Sequence, residues 1–479
     1  MTRAVSIREM AGAISAAKLI SKNAYNVPGK IRITEYFFEV PHDWNNTATS
    51  RPLTIFARGA RRLERPIDPS NDDPKKDLPW LLFLQGGPGF ECASPQNNYW
   101  IQTILDKGYQ VLCLDQRGTG LSSPLTQSTL QMKGDDQLQA QYLRAFRADS
   151  IVKDCEAIRK TLMHGLPTEK AKWTLMGQSF GGFCATTYLS FFPQSLREVF
   201  MFGGLPPLVD SPDEVYKRLF KKVIERNEAY YRKFPEDIDR VQQICKHLQQ
   251  SGNTTVKDTT SQGFITARRF MQLGLCFGGH GGLDTVHDLV LKAHSELNYV
   301  GHLTRPTVAR IESLLPYNDH IIYAILHEPI YCQGEASNWS CHRVLQKCYA
   351  KQFDIPHPFE INDATKAKPI YFTGEMIFPH MLEDYSELRK IKKPAEMLAE
   401  YEDWPELYDE RQLAKNEVPV YCAVYLDDMY VDYDFSRETA NKIKGAKVFV
   451  TNMMYHDAVR SRMDEVVRNV WALRDDSID

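Results

Sequence analysis

Short, uninterrupted apolar runs that end in glycine-bearing turns set the pattern of the first half of the chain. Trp80-Leu81-Leu82-Phe83-Leu84 is apolar at every position, which suits a strand covered on both faces. Tyr109 to Leu114 repeats the pattern. The first run ends in Gln85-Gly86-Gly87-Pro88-Gly89 and the second in Asp115-Gln116-Arg117-Gly118-Thr119-Gly120. A third run enters Gly177-Gln178-Ser179-Phe180-Gly181-Gly182, and Phe183 to Phe192 behind it fits a buried helix. Upstream, residues 30–40 and 53–63 alternate apolar and polar positions across a polar link at Asn45 and Asn46, which predicts an antiparallel pair at a sheet edge. A charged loop, Pro66 to Asp77, follows. Buried strands with glycine-rich turns at their carboxyl ends predict a parallel α/β architecture, with ligands gathering beyond those ends.

From about Leu205 the periodicity becomes helical, and strand-like runs return only at Val418 to Tyr425 and Ala446 to Val450, the latter expected as a further core strand. The predicted organisation is a first core part over residues 30–204, a helical cap over 205–410 and a second core part over 411–479. Residues 1–29 precede it. They carry Arg3, Arg8, Lys18 and Lys22 around a broken apolar stretch, which argues against a secretory signal. An amphipathic helix packed on the body is the expectation there, ahead of a weak mitochondrial presequence. Gly278-Gly279-His280-Gly281-Gly282 follows no strand and reads as a flexible loop.

Composition narrows the function. A net charge of -3 gives no basic surface for nucleic acid, and no apolar run approaches the roughly 18 residues of a membrane span. Ten cysteines without a C-x-x-C pair read as reduced thiols of a cytoplasmic protein. Cys332, Cys341, Cys348 and His342 match no zinc spacing, and no metal or cofactor is expected. Asn-x-Ser/Thr sequons at Asn45, Asn253 and Asn338 carry little weight without a signal peptide. Gly86 to Gly89 lacks the spacing and the Lys-Ser/Thr of a phosphate cradle.

Gly177-Gln178-Ser179-Phe180-Gly181 is a G-x-S-x-G sequence placed between a strand and a helix. That is the nucleophile elbow of the α/β-hydrolase fold, where a strained turn exposes the serine and small residues let backbones pass. Acyl transfer needs two backbone N–H donors at the developing oxyanion. Phe180, after the nucleophile, supplies one, and Gly87, with Gly86 next in line, supplies the other. In this fold the partners follow the serine in the order acid, then histidine. His456 is the only histidine beyond Asp427-Asp428. His456 is therefore the expected general base, with Asp428 preferred over Asp427 as the acid although spacing does not separate them.

Together the Gln85–Gly89 loop, the Asp115–Ser122 stretch, the Gly177–Gly182 elbow and Asp427-Asp428-Met429-Tyr430-Val431-Asp432 resemble the proline iminopeptidase family, also called prolyl aminopeptidases. The resemblance runs from about residue 30 to the end and is closest to the longer microbial members. Those carry sequences like His327-Glu328-Pro329-Ile330-Tyr331-Cys332 and Thr373-Gly374-Glu375-Met376. Shorter members begin the oxyanion loop with His where this chain has Gln85. The resemblance implies an α/β-hydrolase with a mostly parallel sheet and an inserted helical cap, acting as a serine aminopeptidase that releases N-terminal proline, through an acyl-enzyme, from short peptides with a free N-terminal amine. It further implies that Glu328 and Glu375 grip the substrate ammonium. The Asp115–Gly118 segment is expected to brace the oxyanion turn through Asp115 and Arg117.

Two alternatives stand beside this reading. One is an amidase or esterase for another amine-bearing small molecule; the other is a non-catalytic binding protein on a hydrolase fold. Epoxide hydrolysis is disfavoured, because it uses a carboxylate nucleophile where this chain has Ser179.

Overall fold

The computed structural model describes residues 14–63, 78–250, 264–355, 360–362, 365 and 368–476. The charged stretch 66–77, the sequon at Asn253 and residues 1–13 lie outside them. Nine strands form one sheet: β1 (Lys18–Val27), β2 (Ile31–Pro41), β3 (Pro52–Arg62), β4 (Trp80–Leu84), β5 (Gln110–Leu114), β6 (Trp173–Gln178), β7 (Leu196–Phe202), β8 (Val420–Tyr425) and β9 (Ala446–Thr451). Their order is β1-β2-β3-β5-β4-β6-β7-β8-β9. The β1-β2-β3-β5 pairings are antiparallel and all the others parallel. The alternating 30–40 and 53–63 segments are thus the expected antiparallel pair, and the all-apolar runs are the parallel centre.

Two N-terminal and C-terminal details differ from expectation. Residues 18–27 form a strand and not a helix: β1 pairs with β2 along its length, from Lys18 opposite Glu39 to Val27 opposite Ile31. Gly29 and Lys30, both at positive φ, close that hairpin. The ladder to β2 outweighs the weak helical pattern, and the Pro28-Gly29 pair was the turn signal. Ala446–Thr451 is an edge strand with half-buried side chains, because β8 covers only one of its sides. β7 was not separated from the apolar helix before it, since only Pro193–Ser195 and Phe192 part the two.

Two cores sandwich the sheet. Helices Ala148–Leu162 and Phe180–Phe191 cover one face, and helices Tyr99–Asp106 and Met463–Asp475 cover the other. Trp471 stacks flat on Phe200, with ring centroids 3.8 Å apart. Truncating a ring in such a place costs about 3–5 kcal/mol. The Ala148–Leu162 helix buries charges as well as apolar side chains, and two of its carboxylates hold close partners. Asp154 takes Arg117 at 2.6 Å and the Trp44 indole at 2.9 Å; Glu156 takes Arg159 and the Tyr188 hydroxyl.

Between β7 and β8 every regular element of the described residues is helical, from Asp213–Lys233 to Glu410–Leu413. Asp213–Lys233 begins with two acids and ends with Arg232 and Lys233, which complements its dipole. No helix of the described residues is long and apolar enough to cross a membrane, and all ten cysteines are free thiols.

The strand order decides where chemistry can occur. β4 and β6 are parallel neighbours, so the Gln85–Gly89 loop and the Ser179 turn emerge side by side. β7 and β8 deliver Gly203 and the Asp427-Asp428 loop at the same end.

Candidate active site

Ser179 sits at φ 55° and ψ -127°, a region that L residues rarely occupy. The turn is held by Ser179 N–H donating to the Phe202 carbonyl at 3.1 Å and Gly182 N–H donating to the Ser179 carbonyl at 2.7 Å. The glycines around it are steric necessities. A β-carbon at Gly181 would stand 1.9 Å from the Leu84 carbonyl oxygen, and one at Gly177 would stand 2.5 Å from the Gly181 oxygen. Strain at Ser179 is therefore enforced by backbone crossings on both sides.

The loop after β4 passes over the serine. A β-carbon at Gly86 would lie 3.0 Å from Ser179 Cβ, and Gly87 takes φ +128°. Phe180 is the first residue of its helix, so its N–H has no carbonyl one turn back. Gln116 donates from Nε2 to the Gln85 carbonyl at 3.0 Å, and Asp115 accepts from Cys92 N–H at 3.0 Å. Arg117 does not brace the oxyanion turn as expected. Its guanidinium is spent on Asp154 and on the Pro41, His42 and Ala145 carbonyls, where a buried cation needs a carboxylate. Gln116 takes the bracing place instead.

The adjacent aspartates part clearly. Asp427 is 40% exposed and lies 3.9 Å from Lys222, whereas Asp428 is 1% exposed and its Oδ2 accepts from His456 Nδ1 at 2.7 Å. Asp428 Oδ1 accepts from the N–H groups of Tyr430 at 2.9 Å and Val431 at 3.0 Å, which fixes the carboxylate plane. Ser179 and His456 stand over neighbouring residues at the end of β7. A β-carbon at Gly204 would lie 2.6 Å from the Ser179 carbonyl oxygen, and one at Gly203 would lie 3.2 Å from His456 Nδ1. Burial pulls the His456 imidazolium down, but the Asp428 carboxylate, aided by Glu375, outweighs it, and the net shift is above the ordinary 6.5. The Tyr430 ring meets His456 edge-on at 4.8 Å.

The two cap glutamates have unlike surroundings. Both oxygens of Glu328 accept backbone N–H groups, from Cys341 at 2.8 Å and Ser340 at 3.1 Å, at the start of the Ser340–Val344 helix. Burial still dominates and pushes its carboxyl up to about 7. Glu375 is 14% exposed, accepts the Tyr323 hydroxyl, and lies 4.0 Å from His327 Nε2. Burial, opposed only by Glu375, holds His327 below its ordinary value, so this imidazole is neutral and does not cancel the carboxylate. Glu375 also bears electrostatically on His456, Tyr430 and Tyr331, raising the pKa of each.

Residues 79–243 match the alpha/beta hydrolase fold family. The chain is 45% identical over 469 residues to the proline iminopeptidase aneH of Aspergillus aculeatus, covering 97% of this chain and 99% of that one. It is 39% identical over 448 residues to the proline iminopeptidase of Aeromonas sobria, covering 93% and 97%. The chain belongs to the proline iminopeptidase family.

Seen as a member of that family, the chain brings Ser179, the Gly86–Gly87 loop, Asp428 and His456 to one end of the sheet, while Glu328 and Glu375 lie in the helical segment between β7 and β8. Gln116, Tyr323 and Tyr430 touch the Gln85 carbonyl, Glu375 and His456 in turn. Gln116 and Tyr430 lie in stretches that carry the family resemblance, though no role is read for either there, and Tyr323 has no sequence signal. Ser179 and His456 are both buried. A surface cleft of about 720 Å³ lined by His42, Arg144, Tyr401 and Trp404 includes none of these residues. Among the described residues the grouping suited to a metal is Glu236, Asp237 and His287, and there Arg240 already supplies the cation. The cysteines around Cys332 are not gathered with His342 into such a group.

Proposed function

We propose that the protein is a serine aminopeptidase that releases N-terminal proline from short peptides through an acyl-enzyme. Ser179 Oγ attacks the first carbonyl while His456 Nε2 takes its proton, and Asp428 holds the tautomer and stabilises the imidazolium. The Phe180 and Gly87 N–H groups receive the oxyanion. His456 then protonates the departing amine, and water attacks the acyl-enzyme by the same relay. The observation that carries the assignment is Glu375, a largely buried carboxylate that accepts the Tyr323 hydroxyl and bears electrostatically on His456. A free N-terminal ammonium satisfies such a charge, and a blocked amine does not. We assign the direct contact to Glu375. Glu328, with its oxygens committed to backbone donors and its carboxyl pushed up to about 7 by burial, supports the wall. A buried serine behind a helical insertion suits short peptides, and ten free thiols support a cytoplasmic setting.

The test compares Pro-, Ala- and acetyl-Pro-arylamides. Fastest turnover of the Pro substrate, with none of the acetylated one, is the expected result. Equal rates on the blocked substrate would transfer the reading to a general amidase or esterase.

A pH dependence follows from His456. The base must be neutral to accept the Ser179 proton, so activity is lost as pH falls through a pKa raised above 6.5. The acid limb of kcat/KM should therefore bend above pH 6.5. Glu375→Gln removes a negative charge that raises this pKa and should move the bend to lower pH.

A further inference from the structure

The Gly278–Gly282 stretch, expected as a flexible loop, is a packed joint. A β-carbon at Gly278 would stand 2.2 Å from Tyr430 Cζ, and one at Gly282 would stand 1.7 Å from the Cys276 carbonyl oxygen. Two contacts, one from Leu275 just before it and one from His280 within it, reach the segments that carry Asp428 and His456. The Tyr430 hydroxyl donates to the Leu275 carbonyl. His280 donates twice to Asp457, the residue next to His456: its backbone N–H reaches Oδ1 at 3.1 Å and its Nδ1–H reaches the same oxygen at 2.6 Å. Ser461 Oγ shares that Nδ1–H at 2.7 Å and donates onward to the Asp457 carbonyl at 3.2 Å. Arg226, from the Asp213–Lys233 helix, reinforces the joint by donating to the Phe277 carbonyl at 3.1 Å while lying 4.8 Å over the Tyr455 ring.

This second Ser, His and Asp grouping is not a second nucleophile. A relay needs the serine on Nε2 and the acid on Nδ1, whereas here both partners meet Nδ1 and the buried Nε2 has no partner. What the geometry does offer is a clasp from cap to core, made one residue from the candidate base. Desolvation raises the Asp457 carboxyl, yet His280 outweighs it and keeps the group ionised, as a lasting clasp requires.

We propose that His280 is a positioning residue: by clasping Asp457 it holds the His456 loop in register with Ser179, so that the base is aligned only while the cap is seated. The inference rests on His456 being the base. Side chains aligned for proton transfer tolerate little displacement, and a shift of about 1 Å can cost about a hundredfold in rate.

The experiment measures kcat and KM on Pro-arylamide, the rate of fluorophosphonate labelling and thermal unfolding for wild type, His280→Ala, His280→Asn, Asp457→Ala and the double alanine variant. His280→Ala should lower kcat and labelling rate together by about tenfold or more, with KM within about twofold. Asparagine, whose amide nitrogen can stand where Nδ1 stood, should restore most of the loss. The double variant should be no slower than either single alanine variant, because both break one clasp. Unchanged labelling in His280→Ala, multiplying losses in the double variant, or no recovery with asparagine would each overturn the proposal. Should His280→Ala unfold, the asparagine and Asp457→Ala variants still decide it. Wild-type protein that resists labelling would instead count against the Ser179 and His456 assignment itself.

Discussion

Asp428→Asn should lower kcat by about 10⁴-fold while leaving KM within a small factor. The size follows from how the carboxylate is held. Oδ1 accepts from the Tyr430 and Val431 N–H groups, so an asparagine must keep its carbonyl oxygen there and turn its amide nitrogen toward His456. Nδ1 then has to accept, which moves the imidazole proton to Nε2 and presents Ser179 with a donor where an acceptor is needed. The fold should survive, since the replacement is isosteric and both backbone bonds persist. Asp427→Asn, at an exposed side chain whose cation is 3.9 Å away, should leave kcat unchanged to within about twofold. Steady-state kinetics on Pro-arylamide with unfolding curves checks both.

Much of this site was legible before any coordinates. The elbow glycines, the oxyanion loop and the single histidine after the acidic pair are local signals, because each performs its task within a few residues of its own strand end. The parallel core was equally plain, since strands covered on both faces have to be apolar throughout. What could not be read was whatever depends on a partner distant in the chain. Asp427 and Asp428 are indistinguishable as letters, and only the backbone N–H groups of Tyr430 and Val431, together with His456, separate them. Arg117 looked like a brace for the nearest loop but found its carboxylate on the Ala148–Leu162 helix. β1 became a strand because β2 offered it a full ladder, not through any propensity of its own. The glycine run at 278–282 reads as slack in the sequence, yet the missing side chain of Gly278 is what lets Tyr430 approach.

The second large effect concerns recognition and not chemistry. Glu375→Gln should cut kcat/KM on Pro-arylamide by about 10²-fold to 10⁴-fold, because leaving one charge of a buried pair uncompensated costs about 3–5 kcal/mol. Labelling of the serine at a pH above the acid limb should stay within about twofold of wild type, since the probe has no ammonium for the carboxylate to hold. Glu328→Gln should behave differently. Its amide nitrogen would face the Ser340 or Cys341 N–H, donor against donor, so a loss of thermal stability should accompany any loss of activity. Equal loss of turnover and labelling in Glu375→Gln would point to damage at the relay and would remove the recognition role.

The most direct test of the central claim is to label the protein with a fluorophosphonate, digest it and locate the adduct by mass spectrometry, in wild type and in His456→Ala. The account predicts an adduct on Ser179 in wild type and labelling slowed by several orders of magnitude in the variant. An adduct on another residue, or a Ser179→Ala protein that still releases proline at the wild-type rate, would contradict it.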